Sequence, residues 1–224
     1  MGNLIISIFP GIDILGRAFE DEGYCVVRGP DLLWGGDIHK FHPPPGVFEG
    51  VIGGPPCTGE SNWANTNSKN KGYTLWPEAI RVIDEVKPKW WILEAVKRHE
   101  APYCVCLYPR WLGEKQSRKR YFHSNLNLTP FIEVSLFEHP VKEPCFVGTE
   151  YSKGLRLYVG KKGKYTPSRP WKVLCELQGL TPDFDLPPFT KEWKGRVLGN
   201  AVPLPMGRAI AAAVKKATNS LQGM

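Results

Sequence analysis

Short apolar runs alternate with stretches of helical spacing along the first half of the chain. Leu4 to Phe9 is an apolar run of strand length, stopped by Pro10-Gly11. Leu15, Ala18 and Phe19 then recur at helical spacing until Gly23, because residues three and four apart share one face of a helix. Cys25 to Arg28 reads as a second short strand. Val51-Ile52 reads as a third, ending in the rigid turn Gly53-Gly54-Pro55-Pro56. Ala79, Ile80, Ile83 and Val86 mark a helix face that Pro88 closes, and Trp90 to Val96 predicts a buried strand. Tyr103 to Tyr108 and Arg120 to His123 predict two more, and an Ala-rich helix runs from about Met206 to Ala217. Strands alternating with helices predict an α/β fold, with a mostly parallel sheet covered by helices on both faces.

Between about residues 125 and 168 the texture changes to short, Pro-rich, charged stretches. This predicts a small β-rich lobe inserted into a main domain made of residues 1–124 and 169–224. No internal repeat is visible. No apolar run has the length and purity of a membrane span, and the N-terminal residues lack the pattern of a secretory signal. The expectation is a cytoplasmic, monomeric protein with no membrane partner. Six cysteines at positions 25, 57, 104, 106, 145 and 175 form no Cys-x-x-Cys pair. They are expected to be reduced thiols, with no metal site.

Charge adds a polyanionic partner to this picture. The formal net charge is +7. Lys115, Arg118, Lys119 and Arg120 form one basic cluster. Lys153, Arg156, Lys161, Lys162, Lys164, Arg169 and Lys172 form another, interleaved with Tyr151, Tyr158, Tyr165 and Trp171. Basic residues mixed with aromatics compose a nucleic-acid surface; a solvated lysine-rich hairpin has the same composition.

The residues suited to chemistry fall at predicted strand ends, where open α/β sheets bind ligands. Phe9 can pack on a flat ring, and Gly11 lets a ligand approach the backbone. Asp31, 20 residues after Gly11, can accept hydrogen bonds from ribose hydroxyls. Gly36-Asp37-Ile38 offers a further carboxylate and an apolar side chain. Gly53-Gly54-Pro55-Pro56-Cys57 presents a thiol just after a strand. A buried structural thiol is the alternative, and the rigid strand-end turn argues against it. A thiolate adding to carbon 6 of cytosine makes carbon 5 reactive toward a methyl sulfonium. Such an adduct needs an acid near ring N3. Glu94 ends the Trp90–Leu93 run, so it emerges at the same edge; a closed apolar pocket there would raise its pKa. Arg118 and Arg120 alternate on a strand-like stretch and are expected to share one face, where they can bind phosphate or the base carbonyl.

The order of these motifs resembles the DNA cytosine-5 methyltransferases over nearly the whole length. Phe9-x-Gly11, Gly36-Asp37-Ile38, Pro55-Pro56-Cys57, Leu93-Glu94-Ala95-Val96, Gln116-x-Arg118-x-Arg120, Leu177-Gln178-Gly179 and Gly199-Asn200-Ala201-Val202-Pro203 follow one another in that family's order. The resemblance implies a Rossmann-like, S-adenosylmethionine (SAM)-dependent methyltransferase that flips cytosine out of double-stranded DNA. It implies Cys57, Glu94, Arg118 and Arg120 as catalytic residues. For the cofactor it implies Phe9, Gly11, Ile12, Asp31, Asp37, Ile38, Pro55, Asn200 and Val202. The inserted lobe becomes the target-recognition element, whose shortness suggests a short or degenerate site, in a bacterial or phage enzyme. Thr58, Glu60 and Ala95 stand where the family usually has Gln, Phe and Asn. The alternatives left open are a DNA-binding protein without turnover, and a variant that acts on RNA or uses a modified SAM.

Overall fold

The structure is a computed structural model and describes residues 3–56, 74–146, 157–159, 164–166 and 169–222. A six-stranded sheet in the order β2-β1-β3-β4-β7-β5 forms its centre. These strands are β1 (Leu4–Ile8), β2 (Cys25–Arg28), β3 (Gly50–Gly53), β4 (Trp90–Ala95), β5 (Tyr103–Leu107) and β7 (Arg120–Ser124). β2, β1, β3 and β4 run parallel, while β7 is antiparallel to both β4 and β5. The expected mostly parallel α/β sheet is therefore present, with one reversed strand.

Alternation along the strands separates two apolar layers. Ile5, Ile52, Trp90 and Ile92 face helices α1 (Ile14–Asp21) and α5 (Leu204–Gln222). Ile6, Ile8, Val51 and Leu93 face α2 (Trp76–Val86) on the other side. Both faces of the central strands are covered, so their sequences read as continuous apolar runs. Two glycines set the layer spacing. A side chain at Gly50 would overlap the Trp90 ring, and one at Gly207 would sit 2.9 Å from the Ala18 methyl. α5 can thus lie directly against α1. By length and composition the stretch Lys191–Leu221 could cross a membrane. Here α5 puts Met206, Ile210, Ala211, Ala213, Val214 and Ala217 into the core.

Two further helices, α3 (Trp171–Leu177) and α4 (Lys191–Asn200), pack beside the start of α1. Neither stands out as a periodic run in the sequence; tertiary contacts hold them. Gln116, in the two-residue strand β6 (Gln116–Ser117), donates to the Leu177 carbonyl at 2.6 Å and accepts from Phe146 N at 3.1 Å. β6 pairs with β8 (Glu143–Pro144). The remaining strands, β9 (Leu157–Val159) and β10 (Lys164–Thr166), form an antiparallel hairpin. The start of the 125–168 segment packs onto the main body, with Leu128 buried and Leu126 and Phe131 against the same core.

Candidate active site

A shallow cleft opens at the carboxyl ends of β1, β2 and β3. The chain passes from β1 to β2 on one side and then returns to β3 on the other. That reversal is where open α/β sheets leave a crevice for a ligand. Phe9, Pro30, Asp31, Leu32, Gly36, Asp37, Ile38, His39, Pro56 and Leu75 line it. Four of the expected cofactor residues, Phe9, Asp31, Asp37 and Ile38, are thus brought together around it.

The turn after β1 is shaped by three left-handed residues, Phe9 (φ 53°), Gly11 (φ 58°) and Asp13 (φ 53°). For Phe9 and Asp13 this backbone costs about 1 kcal/mol or more each, so their surroundings must hold it. Phe9 N donates to the Pro30 carbonyl at 3.2 Å. Asp13 is buried, caps α1 through Gly16 N at 3.1 Å, and accepts from Ser7 Oγ at 2.9 Å. Burial pushes its carboxyl pKa up, against the pull of Ser7 and Arg28. Gly16 must be glycine, since a Cβ there would lie 2.2 Å from the Asp13 carboxylate.

The loop after β2 grips Gly11 at both ends of its residue. Asp31 Oδ2 accepts from Gly11 N at 2.8 Å, and Trp34 Nε1 donates to the Gly11 carbonyl at 2.7 Å. Asp31 Oδ1 also caps the short 3₁₀ turn Leu32–Trp34 through Leu33 N. A carboxylate has about four lone-pair positions, so two such bonds leave capacity for hydroxyl donors. Asp37 caps the next 3₁₀ turn, Ile38–Lys40, in the same way.

That turn is tied to α2 by one side chain that sequence reading passed over. Arg81 donates to the carbonyls of Ile38 at 2.7 Å and Phe41 at 3.2 Å, while Glu78 and Glu85 hold it from the helix side. The Arg81 guanidinium in turn holds both carboxyls below their ordinary range.

Glu94 stands at the other side of the β3 end. It is buried, and its Oε1 lies 2.6 Å from Arg120 Nε, close enough for an ion pair although not aligned as a hydrogen bond. Its Oε2 lies 3.4 Å from where a Gly54 side chain would begin. Register explains the meeting. β4 pairs Leu93 with Gly53, while β7 pairs Phe122 with Glu94, so that Arg120, the first residue of β7, lies just past the end of β4. Glu94 therefore faces a guanidinium, not the closed apolar pocket expected of it.

Arg118 and Arg120 do not share a face. β6 ends at Ser117 and β7 begins at Arg120, so no continuous strand carries the alternation. Arg118 points inward, 1% exposed, donating to the carbonyls of Phe146 at 2.8 Å and Ala201 at 3.3 Å. Burial draws its pKa down to about 10, which still leaves it charged at neutral pH. It joins the segment after β8 to the α4–α5 junction rather than facing solvent.

Of the other expected cofactor residues, Gly11 is fixed by Asp31 and Trp34, while Ile12, Pro55, Asn200 and Val202 do not line the cleft. Ile12 packs in the same cluster as Leu198, Ala201 and Leu204, so the last motif does return beside the first. Val202 is a core residue and Asn200 ends α4 exposed. Leu177-Gln178-Gly179 acts as a joint. Gln178 donates to the Leu198 carbonyl at 2.6 Å, and Gly179, at φ 73°, lies where any side chain would strike Pro205. Gly36 and Pro56, part of motifs already singled out, also line the cleft, and the lining residues that the sequence reading missed are Pro30, Leu32, His39 and Leu75. Pro30 and Leu32 flank Asp31, already singled out, and His39 follows Ile38; Leu75 carries no local signal. Cys57, Thr58 and Glu60, with Lys153, Arg156, Lys161 and Lys162 of the second basic cluster, lie outside the described residues.

Comparison with known proteins adds a match over part of the chain and a likeness of fold to this geometry. Residues 35–102 match the family described as C-5 cytosine-specific DNA methylase. The type II methyltransferase M.DdeI of Desulfomicrobium norvegicum is 26% identical over 113 residues, 41% of this chain and 27% of that protein. The match thus spans about a quarter of that relative's length. Among solved structures, a DNA modification methyltransferase encoded within an E. coli prophage aligns with a TM-score of 0.63 at 14% identity, over 96% of this chain and 99% of the other. Entamoeba histolytica methyltransferase EhMeth gives 0.63 at 12% identity, over 99% of both chains. S. pombe Dnmt2 methyltransferase gives 0.61 at 10%, over 97% and 99%. At these identities the structures speak to the fold, and they match it nearly end to end.

Proposed function

We infer, from the match of residues 35–102 to the C-5 cytosine-specific DNA methylase family and from the likeness of the fold to solved methyltransferases, that this chain methylates carbon 5 of cytosine in double-stranded DNA with SAM. The observation that carries this reading is a juxtaposition. The cleft and the Glu94–Arg120 pair meet across Gly54-Pro55-Pro56, the segment that leads directly into Cys57.

The cleft suits the adenosyl part of SAM. Phe9, Leu32 and Ile38 offer apolar contact for a purine, and Asp31 and Asp37 offer acceptors for hydroxyl and amino donors. When bound, SAM supplies an electrophilic methyl group. The chain's own residues do the rest. The Cys57 thiolate adds to carbon 6, and the ring electrons this releases make carbon 5 nucleophilic. Glu94, held by Arg120, faces the ring edge and manages the proton at N3. Once carbon 5 carries the methyl group, loss of its proton lets the carbon–sulfur bond break and frees Cys57. The target base must leave the duplex for its carbon 6 to be reached. Arg118 acts behind this surface by fixing the backbone that surrounds it.

Incubation with radiolabelled SAM tests the reading, with duplex DNA and RNA as separate substrates and Cys57→Ser in parallel. Label entering DNA from the unaltered protein alone is the expected outcome. Label in RNA only would move the substrate. Tight DNA binding without label would leave a DNA-binding protein without turnover.

A further inference from the structure

Glu94 is aimed by more than its ion pair. His123 lies opposite Leu93 in the β4–β7 register and is fully buried. Its two ring nitrogens reach backbone on either side of Glu94. Nδ1 lies 3.2 Å from the Leu93 carbonyl, and Nε2 lies 2.9 Å from the backbone N–H of His99. An amide N–H can only donate, so Nε2 must accept. The proton therefore sits on Nδ1 and is donated to Leu93. One neutral imidazole thus closes a bridge over the stretch from Leu93 to His99, with Glu94 one bond inside it.

The bridge is itself braced. Trp76, the first residue of α2, stacks on the His99 ring at 4.0 Å and meets the His123 ring edge-on at 4.8 Å. The beginning of α2, the segment after β4 and the middle of β7 therefore share one cluster. Burial holds His123 down at about 4, so the ring stays uncharged at neutral pH and can accept at Nε2. The sequence shows a further reason for a bracket. Ala95 leaves the position after Glu94 without a side chain able to hydrogen-bond.

We propose that His123 is a positioning residue, bracketing the Leu93 carbonyl and the His99 amide so that Glu94 is held against Arg120 beside Gly54, just past the end of β3. The proposal rests on the function argued above. Its test must separate the two.

His123→Asn keeps a donor for Leu93 but cannot reach His99. His123→Gln keeps an acceptor for His99 but loses Leu93, and His123→Leu loses both. Single-turnover methylation of unmethylated plasmid DNA with radiolabelled SAM is measured for each, with SAM affinity by calorimetry and the folded fraction by circular dichroism. His123→Leu is expected to slow methyl transfer about tenfold to a hundredfold, the scale of a small displacement of a reacting group. His123→Asn and His123→Gln are expected to fall between it and the unaltered protein, and SAM affinity to stay within about twofold. Equal rates in all four proteins would overturn the proposal. So would a rate that falls only in step with SAM affinity or with the folded fraction. If His123→Leu fails to fold, the two amide variants decide by the same criteria. An unaltered protein that transfers no label would overturn the function and leave the bracket to be decided by ¹⁵N NMR. Ring shifts of a neutral His123 protonated at Nδ1 support it; protonation at Nε2 or an imidazolium at neutral pH removes it.

Discussion

The cleft at the ends of β1, β2 and β3 and the Glu94 corner sit on neighbouring strands, yet they are built by different means. The cleft is a work of local backbone. Left-handed Phe9, Gly11 and Asp13 turn the chain, and Asp31 and Asp37 cap short turns a few residues away. The corner is a work of distant partners. Glu94 meets Arg120, His123 reaches Leu93 and His99, and Arg118 reaches Phe146 and Ala201. A site made of turns tolerates loss of one contact, because neighbouring backbone bonds remain. A site made of buried charged and polar side chains does not, because each lost partner strands another group.

The largest expected effect follows on the corner side. Glu94→Gln should lower methyl transfer by about 10²–10⁴-fold, the range for removing a general acid–base group, with SAM affinity nearly unchanged. Single-turnover label transfer beside calorimetry checks both halves. A parallel loss of SAM binding would merge the two regions into one.

Next is Arg118→Met. It leaves the Phe146 and Ala201 carbonyls without their donor and should cost about 3 kcal/mol of stability in denaturant unfolding. A change below about 0.5 kcal/mol would show that Arg118 faces the substrate instead of bracing the scaffold.

His123 gives a pH signature of similar size. Its imidazole titrates near 6.5 when unfolded and at about 4 when folded, so the unfolded chain takes the proton first. Its contribution is complete above pH 6.5 and is lost as pH falls toward 4, by roughly 3 kcal/mol in all. The stability difference between the unaltered protein and His123→Asn should shrink across that window. A constant difference would mean the ring is protonated or exposed.

The smallest effects belong to the cleft. Asp31→Asn and Arg81→Met should each weaken SAM binding about tenfold, near 1.4 kcal/mol, and leave the rate at saturating SAM unchanged. A loss of saturated rate instead would tie the cleft loops to the corner.

This division also explains what the sequence made legible. Phe9, Asp31, Asp37 and Ile38 were readable because each follows a strand within a few residues of the glycines or prolines that mark the turn. Glu94 was readable because it ends an apolar run. Arg118 and Arg120 were misplaced onto one face because nothing local shows that the strand is interrupted between Ser117 and Arg120. Asp13, Arg81 and His123 went unread for a related reason. An acid before a helix, an arginine on a helix and a histidine in a strand are ordinary locally. Arg81 acquires its role from carbonyls 40 and 43 residues away, and His123 from groups 24 and 30 away. The four parallel strands followed from alternation, whereas the reversal of β7 depends on pairing that no local pattern carries.

Trapping on duplex DNA containing 5-fluorocytosine tests the central claim most directly, because fluorine at carbon 5 cannot leave as a proton and the covalent product persists. The account predicts a protein–DNA adduct on a denaturing gel that requires SAM and disappears in Cys57→Ser. Tight DNA binding with no adduct, or an adduct that survives Cys57→Ser, would contradict it.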